Sequence, residues 1–166
     1  QIDVIVVGKG NAALCAAIAA KEETGARVVM LEAAPVEESG GNSRFAGGMM
    51  RFAFDSVEDL RRLADISDEE TRDTDWDTNT TDEFYDDLYQ VTGYRSDPQL
   101  SEIMITRSLD AMLWMRSLGV RFVPNYRAAS AVVDGRRRFF GRMPLEVSGG
   151  GPGLVQYLDA AAEKKG

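Results

Sequence analysis

Residues 3–20 read "DVIVVGKGNAALCAAIAA". "IDVIVV" (2–7) is an apolar run broken only by Asp3, which predicts a strand buried on both faces, as in a parallel sheet. Gly8 and Gly10 end it. "NAALCAAIAAKEE" (11–23) is dense in alanine, the best helix former, and Gly25 stops it. "RVVMLE" (27–32) predicts a second buried strand that ends in an acid. The product is one β-α-β unit with a right-handed crossover. Its turn fits G-x-G-x-x-A, with Ala13 in the third position. Gly8 permits a tight turn and Gly10 lets the backbone approach a pyrophosphate. Helix N–H groups from about Asn11 to Ala13 then point at the anion, and Ala12 lies among them. Glu32 is placed to accept hydrogen bonds from a ribose, a little farther along than the usual ~20 residues. A glycine turn that only packs is the alternative; strand, helix and terminal acid in this order favour a dinucleotide. Lys9 is read as solvent-facing.

Working outward, "SGGNSRFAGGMM" (39–50) bears on which dinucleotide. A nicotinamide unit needs nothing special after Glu32. A flavin must have its pyrophosphate held a second time and its tricyclic ring seated. Gly41, Asn42 and Ser43 offer backbone donors, an amide and a hydroxyl for phosphate oxygens. Gly47 and Gly48 let main chain approach the edge of a flat ring, so a side chain added at Gly48 is expected to project where the ring lies.

The whole chain narrows the chemistry. Its 166 residues suffice for a domain with a real core. Lys plus Arg is 19 and Asp plus Glu is 27, a formal net charge of −8, which repels phosphate backbones and anionic lipid. Nucleic acid is therefore not an expected partner. No apolar run reaches the length of a bilayer span, so no membrane insertion is expected. One cysteine excludes an internal disulfide and points to a reducing, cytoplasmic setting. Histidine is absent, so neither a Cys/His zinc site nor a Ser-His-Asp or Cys-His pair can be built, and no metal is expected. The chain starts on Gln1 and is read as an excised or processed segment.

Beyond Met50 the pattern turns helical. "SVEDLRRLA" (56–64) starts with Ser56 as a cap. Residues 65–87 hold eleven acids and one base, Arg72, and 65–80 are expected to be a mobile solvated loop. Within it "DTDWDT" (73–78) opens like a calcium loop but has Thr78 where the sharp-turn glycine belongs and Phe84 where the bidentate Glu belongs. Asn79-Thr80-Thr81 matches a glycosylation sequon that means nothing in a cytosolic protein. A helix is expected over 81–93. One long helix is expected over 96–120, capped by Asp97 and Pro98, with an apolar stripe of Leu100, Ile103, Met104, Leu109, Met112, Leu113 and Met115. Residues 121–147 read as short strands. Their Arg136-Arg137-Arg138 run either steers an anionic substrate or decorates a solvated hairpin. "SGGGPG" (148–153) is either a turn or an anion site before a final helix from 154. Cys15 is read as a small buried hydrophobe.

"DVIVVGKGNAALCAAIAA", "VVMLEAAP" and "GGNSRFAGGMM" resemble the N-terminal flavin domain of the fumarate reductase and succinate dehydrogenase flavoprotein family. Within it they look most like the branch of the tricarballylate dehydrogenases and the related precorrin-3B synthase flavoproteins. The resemblance is strong over 3–50 and weaker over 97–124 and 148–166. It implies an α/β, Rossmann-like FAD-binding unit with parallel strands, a helical segment and a short antiparallel β region. It implies that Gly8, Gly10, Asn11 and Ala12 touch the FAD pyrophosphate, that Glu32 and Ala33 hold the adenosine, and that Gly41, Asn42, Ser43, Gly47 and Gly48 line phosphate and flavin. Some members attach FAD through a histidine in this segment; here Ser43-Arg44-Phe45 stands instead, so FAD is expected to be non-covalent. The family's substrate-binding and proton-transferring residues have no match, and no catalytic residue is assigned.

The implied organisation is a piece of an FAD-binding domain: β-α-β and flavin loop over 1–50, mainly helical over 51–120, short strands and a final helix over 121–166, with no substrate-capping domain. The implied reaction is dehydrogenation of a small polycarboxylate such as tricarballylate, or succinate/fumarate-type interconversion, with an electron-acceptor protein as a further partner. The isolated chain is expected to be inactive. A cobalamin-pathway flavoprotein, or a non-catalytic FAD- or nucleotide-binding module, are the competing readings.

Overall fold

A computed structural model describes residues 1–166. In chain order the elements are β1 (Val4–Val7), α1 (Asn11–Thr24), β2 (Val28–Leu31), a 3-10 turn (Val36–Glu38), α2 (Gly41–Arg44), α3 (Val57–Arg61), α4 (Asp68–Asp73), β3 (Thr74–Asp75), α5 (Thr81–Thr92), α6 (Pro98–Thr106), α7 (Ser108–Ser117), β4 (Phe122–Pro124), β5 (Ser130–Val133), β6 (Arg136–Phe139), β7 (Leu145–Val147) and α8 (Gly150–Lys165). The fold is α/β, and the chain forms two compact units.

The first unit comprises Gln1–Gly48, Ser117–Val120 and Val147–Gly166. β1 and β2 pair in parallel, with Val4 opposite Val28 and Val7 opposite Leu31. α1 buries Leu14, Ala17 and Ile18, one helical face, and Gly25 closes it in the left-handed conformation with its N–H on Lys21 O. α8 packs along α1 and buries Leu154, Val155, Leu158 and Ala161. The ion pair Glu22–Lys165 links the two helices, and Lys9–Asp159 ties the turn before α1 to α8. The strands are not buried on both faces: Ile5 is 62% exposed, Val7 80% and Leu31 52%. α1 covers the side of the sheet that carries Val4 and Val6, while the alternate residues point the other way. The final helix starts at Gly150, four residues before its expected start, and so takes in the glycine-rich run.

The second unit comprises Met49–Arg116 and Arg121–Glu146. Its core holds Phe52, Phe54, Leu60, Trp76, Ile105, Met112 and Phe139. β5 and β6 pair antiparallel, and β3 joins β6 in parallel. The acidic stretch is not a solvated loop. Ile66 and Trp76 are buried, and Ser67 and Glu70 form a reciprocal capping box that starts α4. Two buried apolar side chains and a satisfied helix start outweigh the local charge. Thr80 and Glu83 start α5 in the same way. The long helix over 96–120 is two helices. Ser108 Oγ donates to Ile105 O at 2.7 Å and accepts the Ala53 N–H at 2.8 Å, and Arg107 leaves helical geometry. The stripe is broken with it: Ser101, Ile105, Met112 and Met115 are buried, whereas Leu100 and Ile103 are 67% and 60% exposed.

Several small features resolve in the second unit. Asn79 is fully buried with its amide donating to Phe52 O, so no glycan can reach it. Asp73 ends α4 and Asp75 faces Arg138 from β3, so the acids of "DTDWDT" do not converge. Each arginine of the 136–138 run has a partner within the unit: Thr74 O, Ser130 Oγ and Asp75.

Candidate cofactor site

The strand that ends at Val7 turns sharply at Gly8, whose φ of +103° favours glycine. Gly8 N–H donates to Leu31 O at 2.7 Å, which sets Glu32 at the end of β2 beside the turn. Gly10 is the N-cap of α1, and it has no side chain to occupy the helix end. The first turn of α1 carries no acid. Ala12 and Ala13 sit where helix geometry supplies no intrahelical acceptor, so their N–H groups face outward at the positive end of the dipole. This is a donor set that suits an anion.

Asn11 N–H is already engaged. It donates to Ser43 Oγ at 3.0 Å, across 32 residues of chain. A Cβ on Gly10 would lie 3.4 Å from both Gly40 O and Ser43 Oγ, at the near edge of van der Waals contact. The two glycine segments are therefore seated against each other at the start of α1. Gly41 and Asn42 are exposed on α2, and a Cβ at Gly41 would meet nothing. Residues 39–50 hold no acid and one base, Arg44, in a chain of net charge −8. Glu32 is half-buried, and its Oε1 accepts the Ala34 N–H at 2.9 Å; Ala33 beside it is exposed. These residues fit a dinucleotide: donors and a hydroxyl at one end, a carboxylate at the other.

Two details depart from expectation, at Lys9 and Gly48, and one open alternative is decided. Lys9 does not face solvent freely: its Nζ lies 2.7 Å from Asp159. Gly47 is exposed as a ring contact requires, but Gly48 is buried, and a Cβ there would lie 2.6 Å from Gly150 Cα. A side chain at Gly48 projects into α8. The "SGGGPG" run is not an open anion site, because Gly151 N–H donates to Ala46 O at 2.9 Å and Gly153 N–H to Gly149 O at 3.1 Å. Cys15 is half-buried one turn into α1, where its thiol reaches Asn11 Oδ1 at 3.5 Å and burial raises its pKa. Sequence reasoning missed Gly40, Gly150 and Gly151 as packing partners of this loop; only their glycine identity hinted at it.

A strand, a G-x-G-x-x-A turn and an uncapped helix start, joined by a serine from a second glycine segment, define a dinucleotide-binding flavoprotein domain. Residues 3–143 match the FAD binding domain family, and the chain belongs to it. Its cofactor is FAD. Two similar relatives are the fumarate reductases (cytochrome) of Shewanella frigidimarina and of its strain NCIMB 400. Each is 27% identical over 164 residues, 99% of this chain and 25% or 24% of the relative. The chain spans about a quarter of the length of the curated relatives it matches. No helix is long and apolar enough to cross a membrane.

Proposed function

We propose that this chain is the part of a flavin-dependent oxidoreductase that holds FAD non-covalently, and that the full-length gene product dehydrogenates a small polycarboxylate, tricarballylate in the first instance. The observation that carries the cofactor reading is the Ser43 Oγ···H–N Asn11 bond, which brings the two glycine segments together at the start of α1. In this reading Gly8, Gly10 and Ala12 receive the pyrophosphate, and Ser43, still an acceptor for Asn11, turns its own proton toward a phosphate oxygen. Glu32 and Ala33 take the adenosine. Gly41 and Asn42 hold the second phosphate face, and Gly47 lies along the ring edge, with Gly48 packed behind it against α8. Bound FAD supplies the hydride-accepting chemistry.

Non-covalent binding is supported by the absence of histidine from the chain. The choice of tricarballylate rests on "GNAALCAA", "LEAAP" and "GGNS". The activity for which the relatives are named, fumarate reduction, favours a second reading of the same family, in which a dicarboxylate is the substrate. Groups that bind the carboxylates and move the proton are proposed to lie outside this chain. The test is a dye-linked assay of the purified full-length flavoprotein with tricarballylate and with succinate, and in reverse with fumarate. Oxidation of tricarballylate with a kcat/KM at least tenfold above that for succinate is the expected result. Turnover of the dicarboxylates alone would overturn the substrate assignment and leave the FAD assignment standing.

A further inference from the structure

α8 begins with a run of glycines that its turn alone does not require. Gly149 and Gly150 have φ of +86° and +64°, a region that favours glycine. Gly151 has no such backbone, yet it has no room for a side chain. A Cβ there would overlap the Ser43 carbonyl oxygen and lie 2.6 Å from Ala46 O and 2.9 Å from Arg44 O. The approach is matched from the other side, where a Cβ on Gly48 would lie 2.6 Å from Gly150 Cα and 2.8 Å from its carbonyl carbon. Two hydrogen bonds hold the backbones together: Gly151 N–H to Ala46 O and Val147 N–H to Gly48 O, both 2.9 Å. The start of α8 also turns its dipole toward the carbonyls of Ser43, Arg44 and Ala46, a favourable pairing. The loop is left open elsewhere: Phe45 is 80% exposed, and Ala46 and Gly47 are exposed.

We infer that Gly151, with Gly150, is a positioning residue for the flavin: the start of α8 sets where Ala46–Gly48 lie, and the open side of that segment receives the ring. The inference rests on the FAD reading above. It separates two ends of the site. The adenosine end is built from Gly8 to Asn11, Glu32 and Ala33; of the groups around the pyrophosphate, Gly151 presses only on the Ser43 carbonyl and not on the Oγ that bonds Asn11. The flavin end is built from the segment they press against. A substitution in α8 therefore alters the flavin end and spares the adenosine end, which a general loss of stability would not do.

The experiment uses the full-length gene product, with FAD and ADP as the two probes. Binding is measured by calorimetry on flavin-free protein, and the bound flavin's absorbance spectrum is recorded. Gly151→Ala is expected to raise the FAD Kd at least tenfold and shift the flavin absorbance maxima, with the ADP Kd within threefold of wild type. Pro152→Ala, on the exposed side of α8, is expected to change none of these. Should Gly151→Ala fail to fold, Gly150→Ala is the softer variant, since its Cβ lies 3.4 Å from Gly47 O. It is expected to shift the spectrum with ADP binding unchanged. FAD and ADP affinities falling in parallel, or folded variants with wild-type FAD affinity and spectrum, would overturn the inference. Wild-type protein that takes up no FAD would instead remove the cofactor reading on which it rests.

Discussion

Glu32 ends β2 half-buried, and the bond from Ala34 N–H to its Oε1 satisfies only one of its two carboxylate oxygens. The other is available to a ribose hydroxyl. Glu32→Gln keeps the shape and an acceptor for Ala34 but removes charge-assisted bonding, worth about 1.5–3 kcal/mol. FAD affinity of the full-length protein should fall at least tenfold, while the melting temperature of the flavin-free form stays within about 2 °C. Equal losses in both would make Glu32 structural. A different carboxylate answers to pH. Asp87 accepts from Arg51 and Arg142, and its hydrogen bond from Arg51 holds its pKa below the ordinary value; Glu83, bonded to Thr80 N–H, is lowered as well. A lowered folded-state pKa means that the stability contributed is present above the unfolded value, about 4, and is lost as pH falls through the folded value. Asp87→Asn should therefore cost about 1 kcal/mol at pH 7 and much less near pH 2.5, read by urea denaturation. A pH-independent cost would show that packing, not charge, holds Asp87.

At the scale of elements, the two faces of the β-α-β unit make opposite forecasts. Leu14 is fully buried on α1, so Leu14→Ala should cost about 2–5 kcal/mol. Val7 is 80% exposed on β1, so Val7→Thr should stay within about 0.5 kcal/mol. Chemical denaturation of the two variants checks both, and similar costs would mean that the open sheet face is covered in solution. What the sequence revealed of these elements follows from local physics. Pro98 behind Asp97 and Gly25 behind Thr24 mark helix ends because caps act within a turn or two. Ser67 and Thr80 carried the same signal, but the density of acids between 65 and 87 hid it. The break at Arg107 was not legible, because it depends on Ser108 bonding Ala53, 55 residues away. Neither was the burial of Gly48, because Gly150 comes 102 positions later. The turn at Gly8 and the acid at Glu32 could be read; the join through Ser43 could only be seen.

Taken whole, the chain spans about a quarter of its relatives' length, and on the proposed reading it supplies one side of a cofactor site. The isolated 166 residues should bind FAD weakly or undetectably by calorimetry, because the remaining flavin contacts are proposed to lie elsewhere. A sub-micromolar Kd would show that the site is not divided. Whether FAD is held without a covalent bond is tested by denaturing the full-length protein, as purified, in acid and separating protein from small molecules. One FAD per chain is expected in the small-molecule fraction, with a colourless protein, since no histidine in this chain can anchor the ring. Flavin that stays with the polypeptide, or a released nicotinamide dinucleotide in place of FAD, would contradict it.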